Sequence, residues 1–574
     1  MGRQFTELVR HFFQRFFDNE IVSPAGDIRV TVGNILALLA TPGAILPVFL
    51  LMKYSDILRV RPELRDVFTY PEKLLFITWS FVVMGVVTVL EWDTLFPDRH
   101  DYAVLTPLPI RFRTVLAAKV TALGALLAIF SVDLNVVSTL IYPFLAAPSM
   151  RNAKGLADVA HYAGAHAAAV FGAAAFVFLL LIGVQGLTMN ALPRRWFRRV
   201  SRWTQVLCLV ALALAFLSFP RMGDMLHPWK PASEAWLRFF PPAWFVGLYE
   251  VLVGSTRPQM FLMARWAVWG LCGAAAAAGI LYLAAYARHY RRSLEAAVEE
   301  AGNPSLVQRA FERAVNALVV RRPLEQAVFH FAAQTLARSR KHRLYFSAYA
   351  GVGAALVING LAAIFARRGY GAAAEPRADF LAVPLVLAFF TLSGMRVVYA
   401  VPAEVAANWI FRVSEPARCA ECLEGARKFL LLCGAGPVLL LTLPPCWVLW
   451  GWRTGLVHTV FCATMAALLA ELLLLKFAKI PFTCAYAPGK SNMTGTWVGY
   501  CVAFSTYAYT MTAIEASLLK HPEAFAVFYT ILAGAAFALR VIRKALLDGM
   551  APAFDDRADP AVMVLNLSGH ATLE

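Results

Sequence analysis

The sequence predicts an all-α, polytopic membrane protein of about twelve transmembrane helices, arranged as two six-helix halves with cytoplasmic amphipathic helices. The first observation is composition: of 574 residues, 59% are hydrophobic and only 16% charged, and the mean hydropathy is +0.60. Soluble chains run nearer to about 25% charged. The second is a series of long apolar runs, each near the ~20 residues that cross a bilayer as a helix. They lie near 32 to 52, 73 to 90, 116 to 145, 160 to 187, 204 to 219, 260 to 287, 344 to 366, 380 to 400, 429 to 451, 455 to 477, 494 to 517 and 523 to 543.

The third observation is where the basic residues fall. A net charge of +17 could suggest nucleic acid, but the cations sit in short clusters beside apolar runs and form no soluble basic domain. Arg194, Arg195, Arg198, Arg199 and Arg202 lie between the fourth and fifth runs, and a second group from Arg288 to Arg343 lies between the sixth and seventh. The positive-inside rule makes both cytoplasmic. An even number of spans then puts both termini in the cytoplasm, in agreement with Arg540, Arg543 and Lys544, and the chain is expected in the plasma (bacterial inner) membrane.

At the N-terminus, Phe5, Leu8, Val9, Phe12, Phe13, Phe16 and Phe17 recur at helical spacing, with Arg3, Glu7, Arg10, Gln14 and Arg15 between them. This is an amphipathic helix, not a signal-peptide core. It is expected at the cytoplasmic membrane interface, with packing against protein as the alternative. The segment from Arg288 to Arg343 divides the spans six and six, and its last part repeats this layout through Leu324, Val328, Phe331 and Thr335. The expected divisions are 1–287 as the first half, 288–343 as a linker with its own amphipathic helix, 344–550 as the second half and 551–574 as a tail.

Each half then carries a polar loop after its second span. The first, Glu91 to Lys119, holds Asp93, Asp98, Arg99, Asp101, Arg111 and Arg113; the second runs from Pro402 to Lys428. Both open near a glutamate, Glu91 and Glu404, and both close on a lysine, Lys119 and Lys428. Only the first half has a long outer segment, Met222 to Arg257, whose Trp229, Trp236, Phe239, Phe240, Trp244 and Phe245 suit short helices in the outer interface.

Charges within spans need a reason, since each costs about 2.5–3.5 kcal/mol on insertion scales. Asp133, beside Asn135 and Ser138 in the third run, is a candidate for a polar translocation path or proton site, or else for a helix-helix hydrogen bond. Glu471 in the tenth run is expected to snorkel toward Lys476 or pair with it. His161 and His166 read as interfacial. No enzyme motif of useful context is present, so no catalytic residue, metal site or bound cofactor is expected. Gly489, Lys490 and Ser491 end a Walker A pattern, but Cys484 stands where its first glycine belongs, which excludes nucleotide binding there. Cys419 and Cys422 form a lone CxxC with no second ligand pair.

Asp101, Leu105, Pro107, Leu108, Pro109, Thr114 and Lys119 resemble the D-x-x-x-L-x-x-L-P then A-K pattern of permease subunits in type-2 ABC exporters. The order of elements in the first half is similar too: amphipathic helix, two spans, coupling loop, three spans, a re-entrant outer element and a sixth span. The second half departs from the pattern, with Asn408 and Trp409 in place of Leu-Pro and a short last outer loop. The resemblance implies a chain without ATPase, fusing two six-helix bundles. A separate ABC ATPase, expected as a dimer and carrying the ATP, would dock on the coupling loops. Asp101, Pro107, Pro109, Arg111, Arg113 and Lys119 are the implied coupling residues, with Glu404, Trp409 and Arg412 in the second half. The substrate is not legible. The competing expectation is an ion-coupled twelve-helix secondary transporter using Asp133 or Glu471; a third is a non-transporting membrane assembly or sensor subunit.

Overall fold

A computed structural model of the chain describes residues 2–17, 39–43, 45–50, 52, 65–96, 105, 110–147, 155–225, 237–295, 306–401, 403, 419–475, 477, 480–483, 493–521 and 523–547. Among them every regular element is helical. Ten helices are long and apolar enough to cross a membrane, which makes the chain an all-α polytopic membrane protein close to the twelve runs expected. Of the other two runs, the first appears as the shorter apolar helix Leu39–Leu50. The eleventh is helical without a break from Met493 to Leu518 but carries Thr506, Thr510, Thr512 and Glu515, so it is less apolar than the rest.

The chain divides into two compact units, Met1–Asn303 with Gly351–Arg367, and Pro304–Ala350 with Arg368–Glu574. The first unit contains α1 (Gly2–Phe17), α2 (Arg65–Leu90), α3 (Phe112–Ile141), the single turn α4 (Pro143–Ala146), α5 (Gly155–Ala191), α6 (Arg194–Met225), α7 (Pro241–Val253) and α8 (Pro258–Glu295). Helix α5 packs on α2, α3 and α8; α6 packs on α2; and α1 lies along α3. Asn135 of α3 ties this core together: its amide donates to the Ser80 hydroxyl of α2 at 2.9 Å, and that hydroxyl donates to the Val170 carbonyl of α5 at 2.9 Å.

The segment expected on the outer side contains α7, whose thirteen residues reach about 20 Å at 1.5 Å per residue, well short of a ~30 Å hydrocarbon core. It is wedged among α2, α5 and α8. Gly247 permits this, because a Cβ there would stand 2.8 Å from the Met260 carbonyl oxygen. Gly254, at φ 103°, then turns the chain into α8. Phe240 and Phe245 are buried while Phe239 is exposed; Trp229 and Trp236 lie outside the described residues.

The second unit holds α9 (Leu306–Leu318), α10 (Pro323–Arg338), the first part of α11 (Arg340–Arg368), α12 (Ala378–Val398), α13 (Cys419–Phe429), α14 (Gly436–Trp450), α15 (Trp452–Leu474), α16 (Met493–Ser505), α17 (Met511–Leu518) and α18 (Ala524–Leu547). A π-helical stretch, Leu430–Ala435, joins α13 to α14. It falls just before Pro437, which cannot donate to a carbonyl four residues back, so the helix widens there. Pairings found in the first unit recur: α12 packs on α15 and α17 as α2 does on α5 and α6, α14 on α15 as α3 on α5, α15 on α18 as α5 on α8, and α10 on α13 as α1 on α3.

Candidate functional site at the roots of two polar loops

The first polar loop leaves α2 at Glu91 and returns at Arg111, and its descending root is fixed by side chains from three other helices. Trp92 is fully buried; its indole donates to the Ser201 hydroxyl at 2.9 Å and its carbonyl accepts the Gln185 amide at 2.5 Å. Gln205 donates to the Val89 carbonyl at 2.9 Å, and the Tyr282 hydroxyl to the Leu95 carbonyl at 3.1 Å. Phe96 packs on Tyr282 with ring centroids 4.6 Å apart, and Phe112 across the loop packs on neighbouring Tyr286 at 5.1 Å. These bonds satisfy carbonyls that a helix end otherwise leaves open.

The two ends of the loop also meet through charge. Thr94 donates to the Glu91 carboxylate at 2.7 Å, and burial pushes that carboxyl up to about 7, with the hydroxyl and the nearby Lys119 ammonium pulling against the shift. Lys119 itself is only 1% exposed. Its ammonium lies 4.8 Å from the Phe12 ring centroid and 5.0 Å from that of Phe16, on the apolar face of α1. Leu8, Phe12 and Phe16 are buried against α3, so this face packs on protein, while Phe5, Val9 and Phe13 stay half-buried. Arg111 and Arg113 are exposed at the start of α3, with no ion pair among the described residues. Leu105 and Thr114 are half-buried; Asp101, Pro107 and Pro109 lie outside the described residues.

The second loop is rooted on a parallel plan. Its start, at Tyr399, accepts the Phe482 amide at 3.0 Å, and the Ala403 amide donates to the Phe482 carbonyl at 2.9 Å. Phe482 holds φ 65°, a left-handed conformation unusual for an aromatic residue, and is wedged between the rings of Tyr399 and His342. At the far end Lys428 meets the Glu325 carboxylate of α10 at 2.6 Å. Glu404, Trp409 and Arg412 fall outside the described residues, as do Gly489 to Ser491; Cys422 is buried.

Several residues take partners that the sequence did not indicate. Glu471 is buried between two arginines from other helices: Arg427 of α13 holds one oxygen at 2.5 Å and Arg543 of α18 the other at 2.9 Å, while Lys476 lies outside the described residues. The two cations replace hydration that the carboxylate loses on burial. His166 is fully buried among Phe76, Tyr142 and Tyr249, not interfacial, whereas His161 is exposed; five residues apart on one helix, they point about 140° from each other. Asn135 makes the interhelical bond considered for Asp133. The Asp133 carboxyl is half-buried, with Oδ2 lacking a hydrogen-bond partner.

Two buried charge pairs were missed. Lys73 of α2 meets Glu250 of α7 at 2.7 Å, with the Tyr70 hydroxyl on the second oxygen at 3.3 Å, and His458 meets Glu515 at 2.7 Å. The rule that singled out Asp133 would have found Lys73, His458 and Glu515, which stand in apolar runs, but not Glu250, which lies between two of them. No family model, curated protein or solved structure matches this chain.

Proposed function

We propose that the chain is the membrane-spanning permease subunit of an ATP-driven exporter, energised by a separate ATPase that docks on the loops following α2 and α12. The observation that carries this reading is the construction of the first loop: its root is locked into α5, α6 and α8 through Trp92, Leu95 and Phe96, while Arg111 and Arg113 stand exposed beside it. A loop that transmits force needs that combination, a fixed base and a free charged surface. The equivalent support of Lys119 by α1 and of Lys428 by α10 fits two coupling elements in one chain. On this reading both termini are cytoplasmic, the membrane is the bacterial inner membrane, and ATP binds only the partner. Charge reversal, Arg111→Glu with Arg113→Glu, is expected to abolish copurification with an ATPase bearing a complete Walker A sequence; unchanged copurification overturns the docking site.

One observation keeps the ion-coupled alternative in view, the unpartnered Asp133 oxygen. Glu471 does not serve it, because two arginines hold its charge. Loss of ion-driven transport in Asp133→Asn, with no ATPase required, favours that alternative.

A further inference from the structure

In the second unit, the eleventh apolar run brings a carboxylate into the bundle that is satisfied on one side only. Glu250, Glu325 and Glu471 each have both carboxylate oxygens engaged by cations or a hydroxyl. Glu515 of α17 differs. Its Oε1 meets His458 Nδ1 of α15 at 2.7 Å, both side chains are 0% exposed, and its Oε2 has no partner. The Tyr507 hydroxyl, also buried and also unpartnered, belongs to the π-helical stretch Thr506–Thr510 one turn before α17. Such π stretches re-aim side chains and recur at functional sites.

The surroundings exclude other chemistry. Cys462 Sγ lies 3.7 Å from both His458 ring nitrogens, so it faces neither along its lone pair and is no nucleophile paired with a base. Among the described residues no group of three or more His, Cys, Asp or Glu is placed to hold a metal ion. The other titratable groups near the pair are Cys446 of α14 and Tyr529 of α18. Full charges on the packed helices stand nearer their ends: Asp379 and Arg396 on α12, Arg453 and Glu471 on α15, Lys520, His521 and Glu523 after α17, and Arg540 and Arg543 on α18. Among the described residues no ion pair to a third group neutralises the pair.

We propose that His458 and Glu515 form a proton-binding site inside the second unit, exchanging its proton from the side of the Gly451 and Leu519–Glu523 turns. The pair holds one proton shared between Nδ1 and Oε1, and releasing it leaves a lone buried carboxylate, so loading and unloading require the surrounding helices to open. His458 lies seven residues after Gly451 and Glu515 four residues before Leu519, which puts the site about 6–10 Å from those turns at 1.5 Å per residue. The site is independent of what energises transport.

Trp450 supplies the probe, since its ring meets His458 edge to face at 5.5 Å, and a protonated imidazole quenches an adjacent indole. Tryptophan fluorescence of the purified full chain in nanodiscs is titrated with acid and base. A one-proton step is expected in the wild type, lost in Trp450→Phe and His458→Asn, and moved to lower pH by at least about one unit in Glu515→Gln, where the imidazolium loses its counter-charge. Glu515→Asp keeps the charge and is expected to retain a step above that of Glu515→Gln. No step in the wild type, or a step that persists unchanged in His458→Asn, overturns the proposal. Should Glu515→Gln fail to fold, the wild-type, Trp450→Phe and His458→Asn titrations still decide it.

Discussion

In the first unit Lys119 lies over the rings of Phe12 and Phe16, whereas in the second Lys428 reaches the carboxylate of Glu325. Both lysines follow a polar loop and both bind the amphipathic helix of their own half. A ring face attracts a cation across a broad area. An ion pair fixes one geometry, and the second root is further tied by Arg427, Glu471, Arg543 and Glu424. The contrast teaches that one topology can hold the lysine at a loop's end against ring faces in one half and against a carboxylate in the other.

Breaking the second root has the largest expected effect. Glu471→Gln leaves Arg543 buried without a close carboxylate and Arg427 with Glu424 alone, a loss of about 3–5 kcal/mol, read as a lower unfolding temperature. Replacing both arginines by Met in the same background is expected to recover part of it. In the first unit Phe12→Ala removes a fully buried ring, worth about 3 kcal/mol, and is expected to release α1 to limited proteolysis while the spans stay folded. A smaller effect sharpens the comparison directly: Glu325→Gln should cost about 2 kcal/mol and be rescued by Lys428→Met, whereas Phe16→Leu, which keeps an apolar side chain and removes the ring, should cost only about 1 kcal/mol.

The smallest effect depends on pH. Burial raises the Glu91 carboxyl from 4.5 to about 7, so between those values the folded chain holds a proton that the unfolded chain has released. Stability from this residue is full below 4.5, falls as pH rises toward 7, and is flat beyond. Glu91→Gln should flatten that slope in thermal unfolding followed across the window; an unchanged slope removes Glu91 from the root.

Much of the fold was legible because a membrane span writes itself as an unbroken apolar run. Helix α7 was legible only as aromatic outer helices, since its thirteen residues cannot span and its seat depends on Gly247 meeting Met260, a contact between distant segments. The lysines at the loop ends were visible by position; their partners were not, because Phe12 and Glu325 lie far from them in sequence. Glu471 illustrates the same limit. Its charge flagged it, but no local spacing pointed to Arg427 and Arg543, which reach it from other helices.

ATP hydrolysis by the purified chain together with its partner tests the central claim most directly. Intact chain is expected to purify with an ATPase whose activity falls to that of the free ATPase in the Arg111→Glu, Arg113→Glu variant, and by a smaller factor in Arg412→Glu. Transport by the chain alone, with no ATPase bound and no response to either variant, would contradict the account.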